Sequence, residues 1–115
     1  MQLDKMTDEE IVVATLKMLG YARNPSYFKS MWFRGDDEWE IGDILIMHYE
    51  HRFAAEVIDF MLKKNYRWEV SSKLGWGYVQ FVETFRRMDN CALFNNMAEF
   101  PRAVCIAALK ALDNV

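Results

Sequence analysis

The chain has 115 residues and a formal net charge of −3, with 52% hydrophobic and 27% charged residues. The composition excludes disordered and fibrous classes, and the length fits one globular domain over residues 1–115. The acidic balance argues against a general nucleic-acid binder. Every apolar run is far shorter than the roughly 20 residues that cross a bilayer, so no membrane association is expected.

The cysteine content bears on the cellular compartment. Cys91 and Cys105 are the two cysteines of the chain, and two are too few for a disulfide scaffold. We expect reduced thiols, with Cys105 as a small core residue. Residues 1–5 lack the apolar segment of a signal peptide. These features predict a cytoplasmic protein.

Two elements are predicted in the first 41 residues. Thr7 and Glu10 have the spacing of a capping box, so a helix is expected to begin there and Gly20 to close it. Around Trp39, apolar and acidic residues alternate with the period of a half-buried strand. We therefore predict a helix and then a hairpin over residues 29–41.

The middle of the chain contains one ambiguous segment and one clear helix. Residues 43–49 fit either an extension of the second strand or a packed connection. Phe53, Val57 and Met61 recur at i, i+4 and i+8, which predicts a helix over residues 52–64.

The pattern then returns to strands. Residues 66–71 alternate aromatic or apolar with polar side chains, and residues 78–82 follow after a turn, which predicts a second hairpin. Trp68 and Phe81 are expected to face the core. Residues 88–96 are polar and predict an irregular passage.

The last element is predicted to be the most buried. Residues 100–112 contain hardly a polar side chain before Lys110, and Pro101 suits the first turn of a helix. Such a helix either covers its own sheet or completes a dimer. We favour the first interpretation, because the other two helices cover little of the sheet, and expect a monomer or a weak homodimer.

The predicted order is α-β-β-α-β-β-α. Consecutive strands joined by tight turns form antiparallel sheets, and the helices must cover them. The fold class is therefore expected to be α+β, with an antiparallel sheet of about four strands and three helices packed on its faces.

Several segments resemble small phage and prophage proteins with an α-β-α sandwich domain, a group that includes the NinX-like proteins, mostly of unknown function. The similar segments are residues 8–21, Met31-Trp32-Phe33, the strand at Trp39, residues 53–58, the hairpin of Trp68 and Gly77-Tyr78-Val79, and residues 100–112. The chain departs from the pattern at residues 44–47, which are apolar where such proteins have a polar lead into the middle helix. The resemblance implies a phage origin, a bacterial host cell and no catalytic residues.

An acidic turn is the first candidate binding feature. Asp36, Asp37 and Glu38, with Glu40 and Asp43, concentrate negative charge, but their spacing lacks the pattern of a calcium loop. A solvated turn is the simpler interpretation. The functional alternative is an acidic patch that resembles nucleic-acid phosphate and attracts a basic partner surface.

Trp76 is the second candidate. It lies between two glycines at the predicted hairpin turn, where a large aromatic side chain is poorly placed for the core. Because tryptophan is enriched at binding hot spots, Trp76 is a candidate partner contact.

Other residue types give weaker signals. Arg86 and Arg87 are the densest basic pair and could hold a nucleic-acid strand by charge with nearby aromatic stacking, although a solvated surface is simpler. His48 and His51, with Glu50 between them, could supply two imidazoles and a carboxylate to a metal ion, but no second cluster has the spacing to complete a zinc site. No nucleophile motif is present, so the prediction is a protein without catalytic residues, metal or cofactor.

The resemblance implies a small phage- or prophage-encoded accessory protein, and the absence of a catalytic motif favours action by binding an unidentified host or phage protein. Inhibitors of bacterial defence systems, anti-CRISPR proteins among them, are often small acidic proteins of this kind. Trp76, Asp36, Asp37 and Glu38 would form the contact surface. The alternative is a nucleic-acid-binding accessory of phage replication or recombination that uses Arg86 and Arg87.

Overall fold

The computed structural model describes residues 3–24, 26–27, 30–46, 50–73, 76–83 and 91–113. Its helices are α1 (Asp8–Met18), α2 (Ile41–Ile46), α3 (His51–Lys63) and α4 (Phe100–Asp113). Its strands are β1 (Ala22–Arg23), β2 (Met31–Arg34), β3 (Asp37–Glu40), β4 (Tyr66–Lys73), β5 (Trp76–Glu83) and β6 (Ala92–Phe94). Short 3₁₀ turns at Leu3–Lys5 and Met97–Glu99 precede α1 and α4.

Helix α1 begins and ends as its sequence predicts. The Thr7 hydroxyl accepts from the backbone N–H of Glu10, whose carboxylate accepts from the Thr7 N–H, which completes the capping box. At the other end Gly20 has a φ of +93°. Its N–H donates to the Lys17 carbonyl and that of Tyr21 donates to the Leu16 carbonyl. These two bonds are those of a Schellman motif, which needs a left-handed residue at this position.

The first sheet is an antiparallel meander of β1, β2 and β3. Trp32 lies opposite Trp39, and the two-residue turn after Arg34 contains Gly35 with a φ of +59°. Since β3 is an edge strand, one of its sides is left open to the elements that follow it. The chain enters α2 directly at Ile41, whose N–H donates to the Ser30 carbonyl.

The second sheet has the order β4-β5-β6, again antiparallel throughout. One face is buried under α3 and α4, as the fully buried Val79 and Phe81 show. The other face carries Tyr78 on β5 directly opposite Leu93 on β6, and Leu93 is 72% exposed. The helices thus lie on one side of this sheet.

Helix α4 is the centre of the molecule, in contact with α1, α3, β5 and β6. Half of its eight buried residues are alanines, at positions 103, 107, 108 and 111. Small side chains allow neighbouring elements to approach the helix axis closely, so one helix can serve several contacts. The apolar character of residues 100–112 is explained by this central position against the chain's own sheet.

The α+β class is confirmed, but the arrangement differs from a single sheet of about four strands with three helices. In the described part of the chain the strands form two three-stranded sheets, and α2 is a fourth helix. Each hairpin pairs with a short strand of its own, β1 or β6, and not with the other hairpin. The two-residue β1, the three-residue β6 and the six-residue α2 are too short to show a period in the sequence.

Candidate functional site

The candidate site is a pocket of about 330 Å³ between the first hairpin, α2 and the start of α3. We call it the acidic pocket. Its lining contains six carboxylates and one guanidinium, together with Tyr21, Met31 and Trp39. The carboxylates are those of Asp37, Glu38, Glu40, Asp43, Glu50 and Glu56, and the guanidinium is that of Arg52.

Three segments bring these charges together. Strand β3 supplies residues 37–40, and because it is an edge strand, side chains from both of its faces border the pocket. The first turn of α2 supplies Asp43, and the residue before α3 supplies Glu50. Acidic groups near helix N-termini are favoured by the helix dipole, which offsets part of their mutual repulsion.

At one wall, Tyr21 and Arg34 hold Glu56. The Tyr21 hydroxyl donates to Glu56 Oε1 at 2.9 Å. Arg34 lies with its guanidinium 4.6 Å from the Tyr21 ring centre, and its Nη2 is 3.7 Å from Glu56 Oε2. Burial raises the pKa of Tyr21 from 10.0 to about 12, and the hydrogen bond to Glu56 acts in the same direction. Glu56 Oε1 thus accepts a hydrogen bond, whereas the buried Oε2 accepts none from the described residues and has only the ion pair to Arg34.

At the opposite wall, Arg52 contacts both Glu50 and Trp39. Arg52 Nε donates to Glu50 Oε1, and its guanidinium lies 5.7 Å from the Trp39 ring centre. This hydrogen bond raises the pKa of Arg52. Trp39 in turn packs edge-on against Phe53, with ring centres 5.4 Å apart. A buried carboxylate and an aromatic face together can bind a guanidinium, by a charge-assisted hydrogen bond and by a cation–π contact.

The lining of the pocket carries a large excess of negative charge. Among the described residues, no three His, Cys, Asp or Glu side chains converge closely enough to hold a metal ion. The carboxylates are spread around the rim, and three of them already contact an arginine: Asp37 and Glu56 contact Arg34, and Glu50 contacts Arg52. Such an arrangement suits an extended organic cation, such as an arginine or lysine side chain.

The site residues predicted from the sequence do not lie together in the structure. Asp37 and Glu38 line the acidic pocket, whereas Asp36 is exposed in the turn beside it. Trp76 is 54% exposed but does not line this pocket. Its predicted position in the turn is wrong, because Trp76 is the first residue of β5 and lies opposite Lys73.

The basic candidates Arg86 and Arg87 lie outside the described residues, and so does His48. His51 begins α3 with an exposed side chain. The two cysteines are free, Cys91 exposed and Cys105 buried.

The acidic cluster predicted from the sequence supplies only four of the ten residues that line the pocket. Tyr21, Glu50, Arg52 and Glu56 come from segments far from the acidic turn in sequence, and no local pattern links them to it. The one available signal was the high density of acidic residues between positions 36 and 43, which identified the pocket's β3 side.

No family model, no curated protein and no solved structure matches this chain. No helix in the described part of the chain is both long and apolar enough to span a membrane.

Proposed function

We propose that this protein acts by binding another protein, with the acidic pocket receiving an arginine or lysine side chain of the partner. The observation that carries the proposal is the charge of the pocket lining, six carboxylates against one guanidinium. A concave surface with a large excess of one charge produces a strong local electric field, which attracts an oppositely charged group as it approaches. Electrostatic complementarity of this kind sets specificity and association rate.

Arg52 supports the choice of ligand. Its guanidinium contacts Glu50 and faces Trp39 within the chain itself. The wall therefore has the chemistry that a partner's guanidinium needs, namely carboxylates for paired hydrogen bonds and an aromatic face for stacking. Glu38, Glu40 and Asp43 remain exposed at the rim for an incoming cation.

The wider role in this proposal is that of a phage- or prophage-encoded accessory protein, such as an inhibitor of a bacterial defence system. It is supported by the resemblance of several segments to small phage proteins and by the absence of a catalytic motif in the sequence. A small acidic protein can inhibit by occupying a basic surface that otherwise binds nucleic acid.

A capture experiment with matched variants tests the proposal. Tagged wild-type protein and the double variant Glu38→Gln/Glu40→Gln are used on lysate from phage-infected bacteria, and captured proteins are identified by mass spectrometry. We expect a stoichiometric partner that the wild type retains after nuclease treatment. The variant should retain it at least about tenfold less well, because two charges of the pocket are removed.

The control is Glu9→Gln/Asp59→Asn, which removes the same charge from exposed positions on α1 and α3. It should capture the partner as the wild type does. Equal loss in both double variants would mean that only net charge matters and would contradict the pocket. A captured fraction that disappears with nuclease would favour the nucleic-acid alternative instead.

A further inference from the structure

The outer edge of β4 is a second unexplained surface. Strand β4 has eight residues and lies at the edge of its sheet, where β5 is its neighbour among the described strands. Trp68 and Val70 lie on the helix-covered face, since they are opposite the fully buried Phe81 and Val79. Yet Trp68 is 37% and Val70 46% exposed. An edge strand with apolar side chains left open beside the core is a template for another strand.

The charged residues of β4 indicate which strand pairs with its outer edge. Arg67 and Glu69 flank Trp68 and lie together on the outer face of the sheet, 3.8 Å apart. If a second copy of β4 pairs antiparallel with the first about a two-fold axis at Trp68, each Arg67 lies opposite the other copy's Glu69. Trp68 of one copy then lies opposite Trp68 of the other copy. Opposite charges and aromatic pairs across neighbouring strands both stabilise a sheet.

We propose that the protein forms a homodimer by antiparallel pairing of β4 with its copy, centred on Trp68. The β4-β5-β6 sheets of the two copies then form one six-stranded sheet, with the helices of both copies on the same side. The exposed Trp68 and Val70 are covered by the partner strand, and the outer edge of β4 in each copy lies inside the joined sheet. This dimer is independent of the acidic pocket, which lies at the other sheet.

Alternative registers are less favourable. A two-fold axis at Glu69 places this carboxylate against its own copy, and an axis at Val70 places Arg67 opposite Lys73. Like charges directly opposite each other destabilise a sheet. An axis at Ser71 pairs Glu69 with Lys73 but leaves Arg67 without an opposite charge. The role of Arg67 therefore distinguishes the proposed register from this last one.

Charge reversal tests the dimer in the full-length protein. The dissociation constant of the wild type is measured by sedimentation equilibrium, and then that of Arg67→Glu and of Glu69→Arg. Each single variant places like charges opposite each other at two positions per dimer. We expect each to weaken association by about tenfold. Lys17→Glu and Glu9→Arg, on the exposed side of α1, are matched controls and should associate as the wild type does.

Restoration of complementarity gives the decisive result. The double variant Arg67→Glu/Glu69→Arg should dimerise like the wild type, and an equimolar mixture of the two single variants should form a heterodimer. Circular dichroism confirms that each variant is folded. A monomeric wild type at about 1 mM would overturn the proposal. So would undiminished association of Arg67→Glu, or single variants that neither the double variant nor mixing restores.

Discussion

At the scale of single residues, the core contains the ionisable thiol of Cys105. Cys105 is fully buried on α4, and burial raises the pKa of its thiol from 9.0 to about 12. The nearby Thr15 hydroxyl is itself buried and donates to the Ile11 carbonyl at 2.7 Å. Cys105 therefore behaves as a small apolar side chain at neutral pH, as its place in an apolar helix predicts.

This burial makes stability depend on alkaline pH. In the unfolded chain Cys105 loses its proton near pH 9.0, whereas in the folded protein it keeps it up to about pH 12. Its contribution is therefore complete below pH 9 and is lost as pH rises, by up to about 1.4 kcal/mol per pH unit. We expect Cys105→Ala to reduce this decline in the free energy of unfolding, measured with urea at several pH values.

Cys91→Ala is the matched control, because Cys91 is exposed. It should decline with pH as the wild type does. Tyr21, whose pKa is also raised to about 12, adds a decline of the same sign in all three proteins. Equal slopes for Cys105→Ala and the wild type would contradict the assignment.

At the scale of elements, local signals decide where α1 begins. The capping box at Thr7 joins two backbone N–H groups to side-chain oxygens, with bonds of 3.1 and 3.2 Å. These groups are exposed, so the motif acts through helix formation and not through the core. The end of α3 is set similarly, because Asn65 adopts a φ of +69° just after the helix.

Loss of the cap should destabilise the protein measurably. We expect Thr7→Ala to lower the free energy of unfolding by about 1 kcal/mol, because the Glu10 N–H loses its acceptor. Thr7→Ser keeps a hydroxyl at the same place and should remain close to wild type. The measurement is the midpoint of urea unfolding; a Thr7→Ala midpoint equal to that of Thr7→Ser would show that the box contributes nothing.

At the scale of the whole molecule, one hydrophobic cluster extends across both sheets. It includes Trp32 and Ile41 from the first half of the chain and Val79 and Phe81 from the second. Helix α4 contacts α1 as well as β5 and β6. Because one core is shared, the two sheets should unfold in a single cooperative transition, which is the prediction of one domain over residues 1–115.

Overpacking of α4 tests this cooperativity. Ala107 is fully buried, so Ala107→Leu should destabilise the protein by about 1–3 kcal/mol. Tryptophan fluorescence in a Trp68→Phe/Trp76→Phe background reports the first sheet, and in a Trp32→Phe/Trp39→Phe background the second. Both reporters should shift together.

Ile106→Leu, at a half-buried position of the same helix, is the control and should shift neither reporter by as much. An unchanged midpoint for the first-sheet reporter in Ala107→Leu would mean that the two halves unfold separately.

The sequence by itself determined the long helices and the presence of both hairpins. The period of Phe53, Val57 and Met61, the cap at Thr7 and the apolar run from Phe100 are local properties, because each depends on residues within a few turns or strand positions. The same is true of the second hairpin, whose alternation sets the faces of Trp68 and Phe81. The acidic residues at Asp37 and Glu38 were visible as well.

Only the tertiary structure decided how these pieces combine. The separation into two sheets depends on β1 and β6, which exist because a neighbouring strand offers them partners. The acidic pocket needs Tyr21, Glu50 and Glu56 beside β3, and the exposure of Trp68 follows from the edge position of β4. Contacts between residues distant in sequence leave no periodic signal, so chain packing alone determines them.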